Sequence, residues 1–139
     1  YYNILIQERG KSMTDNETFE QDFRKSLEDI SDEITRLYHD NNLYVHEDED
    51  DDSSEEYYYF DENYNLDYIW RERYGLMGVR VMIAYGGPNI WVDSFNQEVI
   101  GYWGASEIHI PLPSDVCYSI TNHYEEYIDY LIDDIRACR

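Results

Sequence analysis

Carboxylates dominate the residues of this chain that could do chemistry. Eleven of the 21 residues from 47 to 67 are Asp or Glu, and none is Lys or Arg. Such a run could bind a divalent cation, but an EF-hand loop needs Gly at its sixth position and Glu at its twelfth. A loop that began at Asp48 would place Ser53 and Tyr59 there, and a loop from Asp50 fails in the same way. The sequence therefore predicts no metal site and no cofactor.

Nucleophilic catalysis would need a thiol or hydroxyl beside a base. Cys117, His109 and His123 supply these residue types, but no motif relates their positions. The Gly-Gly-Pro turn at 86–88 lacks the lysine and the glycine spacing of a phosphate-binding loop. Paired carboxylates occur throughout the chain, so they do not indicate an acid and base pair. We expect a binding protein and not an enzyme.

The charge of the whole chain indicates the kind of partner. There are 31 acidic and 10 basic residues, for a formal net charge of −21, and 16 residues are tyrosines. Long-range attraction therefore favours a strongly basic partner, and nucleic-acid-binding proteins are the most abundant proteins of that kind. Tyrosine rings among the carboxylates offer flat faces on which arginine can stack. The predicted partner-binding residues are Glu47, Asp48, Glu49, Asp50, Asp51, Asp52, Glu55, Glu56, Tyr57, Tyr58, Tyr59, Asp61, Glu62, Glu125, Asp129 and Asp133.

A helix is predicted before the acidic run. Thr14 and Glu17 have the spacing of a capping box, in which each side chain satisfies a free backbone donor at the start of a helix. Apolar residues then recur at steps of three and four, as on the buried side of an amphipathic helix. These residues are Phe19, Phe23, Leu27, Ile30, Ile34, Leu37 and Tyr38. Residues 39–42 are expected to end the helix.

The middle of the chain predicts an antiparallel sheet. Val79, Val81, Ile83 and Tyr85 alternate with residues of the opposite face, which is the pattern of a half-buried strand. Further strands are expected at 90–93, 99–103 and 107–110, and the first two of these are close enough to form a hairpin. The aromatic and basic residues at 67–74 are interpreted as one or two helical turns.

The end of the chain predicts a second amphipathic helix that begins at Ser114, a good N-cap residue. Its expected buried positions are Val116, Ile120, Tyr124, Tyr127, Ile128, Leu131 and Ile135. Glu125, Asp129 and Asp133 lie at i, i+4 and i+8, and we call these three residues the acidic ladder. Like charges at this spacing repel one another and destabilise a helix. The ladder therefore indicates either a cationic partner that relieves the repulsion or an acidic face that is simply solvated.

These elements predict one α+β domain at residues 13–139: an N-terminal helix, an acidic tract, a three- to four-stranded antiparallel sheet and a C-terminal helix. The acidic, tyrosine-rich segment spans 46–67. Residues 1–12 are interpreted as a leader or disordered extension, because the codons for residues 8–11 can form a purine-rich ribosome-binding site before Met13. A bacterial or phage source would follow.

Cysteine spacing and hydropathy indicate in which cellular compartment the protein is found. Cys117 and Cys138 fall in one predicted helix, where about 1.5 Å of rise per residue holds them too far apart for a disulfide. No stretch of 18 apolar residues is present, and Tyr1 to Ile6 lacks the features of a secretory signal. We expect a protein of the bacterial cytoplasm with no membrane contact.

In composition and size, the chain resembles the small acidic DNA-mimic inhibitors of phages and mobile elements, which include anti-CRISPR and anti-restriction proteins. The run at 47–62 and the acidic ladder carry this resemblance, which is one of character and not of motif. It implies that the chain competes with DNA for a basic nucleic-acid-binding protein, a CRISPR or restriction nuclease, and does not itself bind nucleic acid.

Two other classes of function stay open. The chain could inhibit or chaperone a different basic protein, such as a toxin nuclease. It could also be a structural phage protein, or a salt-adapted one, with no basic partner. In the first class, duplex DNA would not displace the partner unless their binding sites overlap. In the second class, the association of the chain with other proteins would be unchanged after the acidic tract is neutralised.

Overall fold

A computed structural model describes most of the chain: residues 15–41, 43–46 and 56–137. Several predictions concern parts outside these ranges or side chains that are not described. They are the leader at 1–12, the capping residue Thr14, the acidic residues at 47–55, Cys138, and the side chains of Glu56 and Ile135.

Two amphipathic helices flank the strands, as predicted. Helix α1 (Asp15–His39) buries Phe23, Leu27, Ile30 and Ile34. These residues lie three or four positions apart, so they share one side of the helix and pack together in the core. The prediction for this helix is confirmed.

The strands form an α+β protein with more strands than predicted. A two-stranded hairpin of β1 (Tyr44–His46) and β2 (Glu56–Tyr58) comes first. A five-stranded antiparallel sheet follows, in which every strand pairs with its neighbours in chain order. Its strands are β3 (Asn65–Arg71), β4 (Gly75–Ala84), β5 (Asn89–Asp93), β6 (Glu98–Trp103) and β7 (Ser106–Pro111).

Helix α2 (Ser114–Ala137) and α1 cover the same face of this sheet. α2 packs on β4, and α1 packs on β6 and β7. A row of buried residues crosses the sheet beneath them, because Val81 pairs with Val92, Val92 with Val99, and Val99 with Ile110. Burial of aliphatic side chains in such cross-strand rows is the main stabilising term of a sheet of this kind.

Glycine permits the close approach of α1 to the sheet. A Cβ atom at Gly101 would lie 2.6 Å from Cζ of Phe23 and 2.7 Å from Cδ1 of Leu27. Both side chains belong to the buried core, so moving them aside would disturb its packing. The position of α1 therefore depends on the absence of a side chain on β6 at this residue.

The helical turns predicted at 67–74 are wrong. Most of that segment is the edge strand β3, in which Tyr68 pairs with Val79 of β4. One edge of β3 has no pairing strand among the described residues, so the strand is largely exposed and its sequence mixes apolar and charged residues. The guanidinium of Arg73 lies 5.8 Å from the ring centre of Tyr74, the next residue in the chain.

The alternation predicted through β4 breaks near its end. A bulge in the pairing with β5 lies between Met82 and Ala84. An extra residue in one strand reverses the facing of the residues that follow. Ala84 is consequently buried, whereas Tyr85, which the alternation placed inside, is 63% exposed.

The buried stripe of α2 ends earlier than predicted. Val116, Ile120, Tyr124 and Ile128 are buried, but Tyr127 is 50% exposed and Leu131 is 36% exposed. The helix continues to Ala137, so its last turns extend beyond the core that its first turns cover.

Candidate interface for a basic partner

The acidic tract is the connection of the β1–β2 hairpin. The two strands are antiparallel, and His46 pairs with Glu56 at the end where the tract connects the strands. Residues 47–55 join these two positions, and seven of the nine are Asp or Glu. The hairpin therefore fixes both ends of the tract close together on one side of the molecule.

A histidine of α2 holds the base of the hairpin. The Tyr58 ring stacks on the His123 imidazole with ring centres 3.6 Å apart and an angle of 16° between the planes. The Tyr44 hydroxyl lies 2.8 Å from Nδ1 of His123 and forms a hydrogen bond with it. Both strands of the hairpin thus contact α2 through a single residue, at the end of the hairpin opposite to the tract.

The histidine adds little positive charge to this region. Burial lowers the pKa of His123 below its ordinary value, and the opposing effects of Asp61 and Glu126 do not overcome it. The imidazole is therefore mostly neutral at pH 7.

Asp61 connects the hairpin to the carboxylates of α2. Its Oδ2 accepts a hydrogen bond of 2.9 Å from the backbone N–H of Tyr58. It also acts electrostatically on His123 and Tyr124, and Glu126 acts on His123 as well. The structure therefore brings Asp61, from the segment after the tract, within electrostatic range of His123 and Tyr124 on α2. Glu62 follows it and is exposed.

The acidic ladder is exposed along α2. Glu125, Asp129 and Asp133 all face solvent, and none of them forms an ion pair with another side chain that the structure describes. Helix α2 contains six acidic residues and one basic residue, Arg136. The repulsion within the ladder is therefore not relieved by the described part of the protein.

The three tyrosines predicted to contact a partner have different environments. Tyr57 is exposed, and Tyr59 is half-buried with its pKa raised to about 12 by burial. Tyr58 is only 2% exposed, so its ring is part of the core and is not accessible to a partner. Its inclusion among the contact residues is therefore wrong. The identical residue types at 57–59 concealed this difference, since alternate residues of a strand face opposite sides.

Exposed tyrosines that the sequence analysis missed lie on α2. Tyr118 is 70% exposed and Tyr130 is 65% exposed, and Tyr127 was expected in the core. The helical period indicates that Tyr118 and Tyr130 are exposed, because both lie outside the buried stripe. The helix thus presents aromatic rings beside its carboxylates.

Cys117, His109 and His123, which were considered for catalysis, each have different neighbours. The Cys117 thiol is buried, its Sγ contacts the Leu112 carbonyl oxygen at 3.8 Å, and burial raises its pKa to about 12. A thiol in this state is a poor nucleophile at neutral pH. His109 lies on β7 between Glu98 and Glu107, and His123 contacts the hairpin. No hydrogen bond joins these three residues in the described structure.

No protein-family model, curated protein or solved structure matches the chain. Neither of the two described helices is long and apolar enough to cross a membrane. No group of three metal-ligating side chains lies together within the described ranges. The carboxylates around the hairpin and along α2 are the most distinctive chemical feature of this surface.

Proposed function

We propose that the chain is an acidic DNA mimic that binds the DNA-binding groove of a basic protein and blocks access by DNA. The observation that carries this proposal is the uncompensated ladder on α2, on a protein whose β1–β2 connection holds seven further carboxylates. A chain that keeps such repulsion within one surface gains from it when a cationic surface binds there.

The density of negative charge supports a role for both the acidic ladder and the tract at 47–55. Residues of the ladder are about 6 Å apart along the helix axis, since each residue rises about 1.5 Å. One strand of duplex DNA carries a phosphate about every 3.4 Å along its axis. The ladder alone is therefore about half as dense as one DNA strand. The tract at 47–55 supplies the additional carboxylates that a mimic needs.

The exposed tyrosines suit the same partner. Grooves that bind DNA are lined with Arg and Lys, and Arg stacks well on an aromatic ring. Tyr118 and Tyr130 present such rings beside the ladder. A tyrosine also loses little conformational entropy when it is fixed at an interface.

The proposed target is a nuclease of bacterial defence, either a CRISPR effector or a restriction enzyme, and the proposed place of action is the bacterial cytoplasm. The resemblance to small acidic inhibitors of phages supports this choice. Occupation of the groove would prevent the nuclease from binding its DNA, so inhibition would be competitive with DNA and would weaken as salt screens the charges.

Neutralisation of the tract tests the proposal. The target nuclease is first captured from a bacterial lysate on the immobilised chain. We expect that replacing Asp48, Asp50, Asp52, Glu55 and Glu56 with Asn or Gln abolishes inhibition of this nuclease and leaves the fold intact. The matched control changes five acidic residues elsewhere: Glu17, Glu28, Asp29, Asp32 and Asp40. Circular dichroism checks folding, and cleavage of duplex DNA measures inhibition. Full inhibition by the folded tract variant would refute the proposal.

A further inference from the structure

A groove of about 700 Å³ lies between the first half of α2 and the turn that joins β5 to β6. Glu125, the first residue of the acidic ladder, lies on its wall. The groove therefore opens on the same side of α2 as the ladder. Its volume is sufficient for a long side chain, since sites for whole small molecules begin at roughly 300 Å³.

Hydrogen bonds fix the shape of this groove. The Asp93 carboxylate accepts hydrogen bonds of 2.9 Å from the backbone N–H groups of Phe95 and Asn96, and these hold the turn. The hydroxyls of Ser94 and Thr121 are 2.8 Å apart and join the turn to α2. Because both walls are already fixed, a side chain that enters does not have to order them.

The packing of Phe95 adds to this rigidity. A Cβ atom at Gly78 would lie 2.5 Å from Cβ of Phe95 and 2.8 Å from its Cα. The turn therefore rests directly on the backbone of β4. The Phe95 ring itself remains 38% exposed and lines the groove.

The chemistry of the walls selects a planar cation. Glu125 and Asp115 line the groove, together with Tyr118 and Phe95. One carboxylate oxygen of Asp115 accepts a hydrogen bond of 2.9 Å from the backbone N–H of Val116, which leaves Glu125 as the carboxylate without a described partner. None of the described residues that line it is Lys or Arg. A guanidinium donates paired hydrogen bonds to a carboxylate and stacks on an aromatic face, whereas an ammonium does only part of this.

We propose that this groove accepts an arginine side chain of the basic partner, with Glu125 as the paired carboxylate. The inference rests on the proposed function, since it names the side chain by which that partner would be held. It goes further, because charge density alone would not distinguish arginine from lysine.

The test uses small probes, so it does not require the partner. The ¹⁵N-labelled full chain is titrated with N-acetylarginine amide, N-acetyllysine amide and N-acetylcitrulline amide. We expect the arginine probe to shift the amide signals of Ser94, Phe95, Thr121 and Glu125 with saturation. We expect the lysine probe to bind more weakly, and citrulline, which is neutral and of similar shape, to leave these signals unchanged.

Two variants of equal charge locate the binding. Glu125→Gln should weaken arginine binding about two- to fivefold, which corresponds to the loss of one exposed charge pair. Glu126→Gln is the control, because Glu126 lies beside His123 and does not line the groove. Equal effects of the two variants, or shifts spread over all acidic surfaces, would overturn the inference. So would equal affinity for lysine and arginine.

The outcomes separate this inference from the function on which it rests. If arginine does not bind but the chain still captures a nuclease that duplex DNA displaces, the groove is not the anchor and the proposed function stands. If arginine binds in the groove but no DNA-binding partner is displaced by DNA, the groove is a cation site and the proposed function is wrong.

Discussion

Neutralising the acidic ladder should make the protein more stable and less able to bind its partner. The variant replaces Glu125 with Gln, and Asp129 and Asp133 with Asn. It removes two like-charge pairs at i, i+4, each of which costs about 0.2–0.5 kcal/mol in a helix. All three side chains are exposed, and none of them forms an ion pair with a described side chain. Neutralising Asp133 also removes its attraction to Arg136 at i, i+3, and neutralising Asp129 removes its repulsion from Glu126 at the same spacing, so these two effects offset each other.

The expected gain in the free energy of unfolding is about 0.4–1 kcal/mol, which would raise Tm by roughly 2–4 °C. Thermal unfolding at low salt measures it. At about 0.5 M salt the Debye length falls to roughly 4 Å, and the gain should largely disappear.

A matched control removes the same number of charges from α1, through Glu28→Gln, Asp29→Asn and Asp32→Asn. These three residues lie three or four positions from Arg24, Lys25 or Arg36, so their neutralisation also removes attractive pairs and should not stabilise the protein. If the ladder variant is no more stable than the wild type at low salt, the carboxylates are not in repulsion. The inference that a cationic partner relieves them would then be wrong.

Three further variants test the account of the fold by thermal or urea unfolding. Gly101→Ala should cost about 1–3 kcal/mol, because its Cβ would overlap the side chains of α1; wild-type stability would contradict the packing. Asp93→Ala should lower the free energy of unfolding by about 2–4 kcal/mol, because it leaves two backbone N–H groups of the β5–β6 turn unpaired. If Asp93→Ala destabilises the protein less than Asp93→Asn does, this explanation is contradicted. Burial lowers the pKa of His109, but the hydrogen bonds and charges of Glu98 and Glu107 outweigh it and raise the pKa overall. The stability that His109 adds is thus complete below about pH 6.5 and is lost as pH rises through the raised value. His109→Gln should abolish this dependence.

The sequence predicts the elements whose patterns are local. The stripe of α1 from Phe23 to Ile34 repeats at the period of a helix, and the core requires that side of the helix to be buried. The strands near Val92 and Val99 are similarly clear, because alternation and a short turn suffice to define a hairpin. These features depend on residues that are neighbours in the sequence.

Features that depend on distant pairing could not be predicted in this way. The bulge near Ala84 is set by the register of β4 against β5, and one strand alone does not reveal it. The burial of Tyr58 depends on His123, which lies on another helix. The hairpin that bounds the acidic tract was missed, because its strands have only three residues each.

The candidate site was therefore predicted in composition but not in arrangement. The ladder follows from helical spacing alone, and its exposure agrees with that spacing. The contact between the hairpin and α2 and the groove beside Glu125 require the tertiary structure.

Capture from a bacterial lysate shows whether the chain competes with DNA for a nuclease. The full chain is immobilised, and bound proteins are eluted separately by rising salt and by duplex DNA, then identified by mass spectrometry. The account predicts that duplex DNA releases one DNA-binding nuclease, and that the variant with a neutralised tract does not capture it. A mixture of ribosomal and other basic proteins, all lost at modest salt and none released selectively by DNA, would contradict the account.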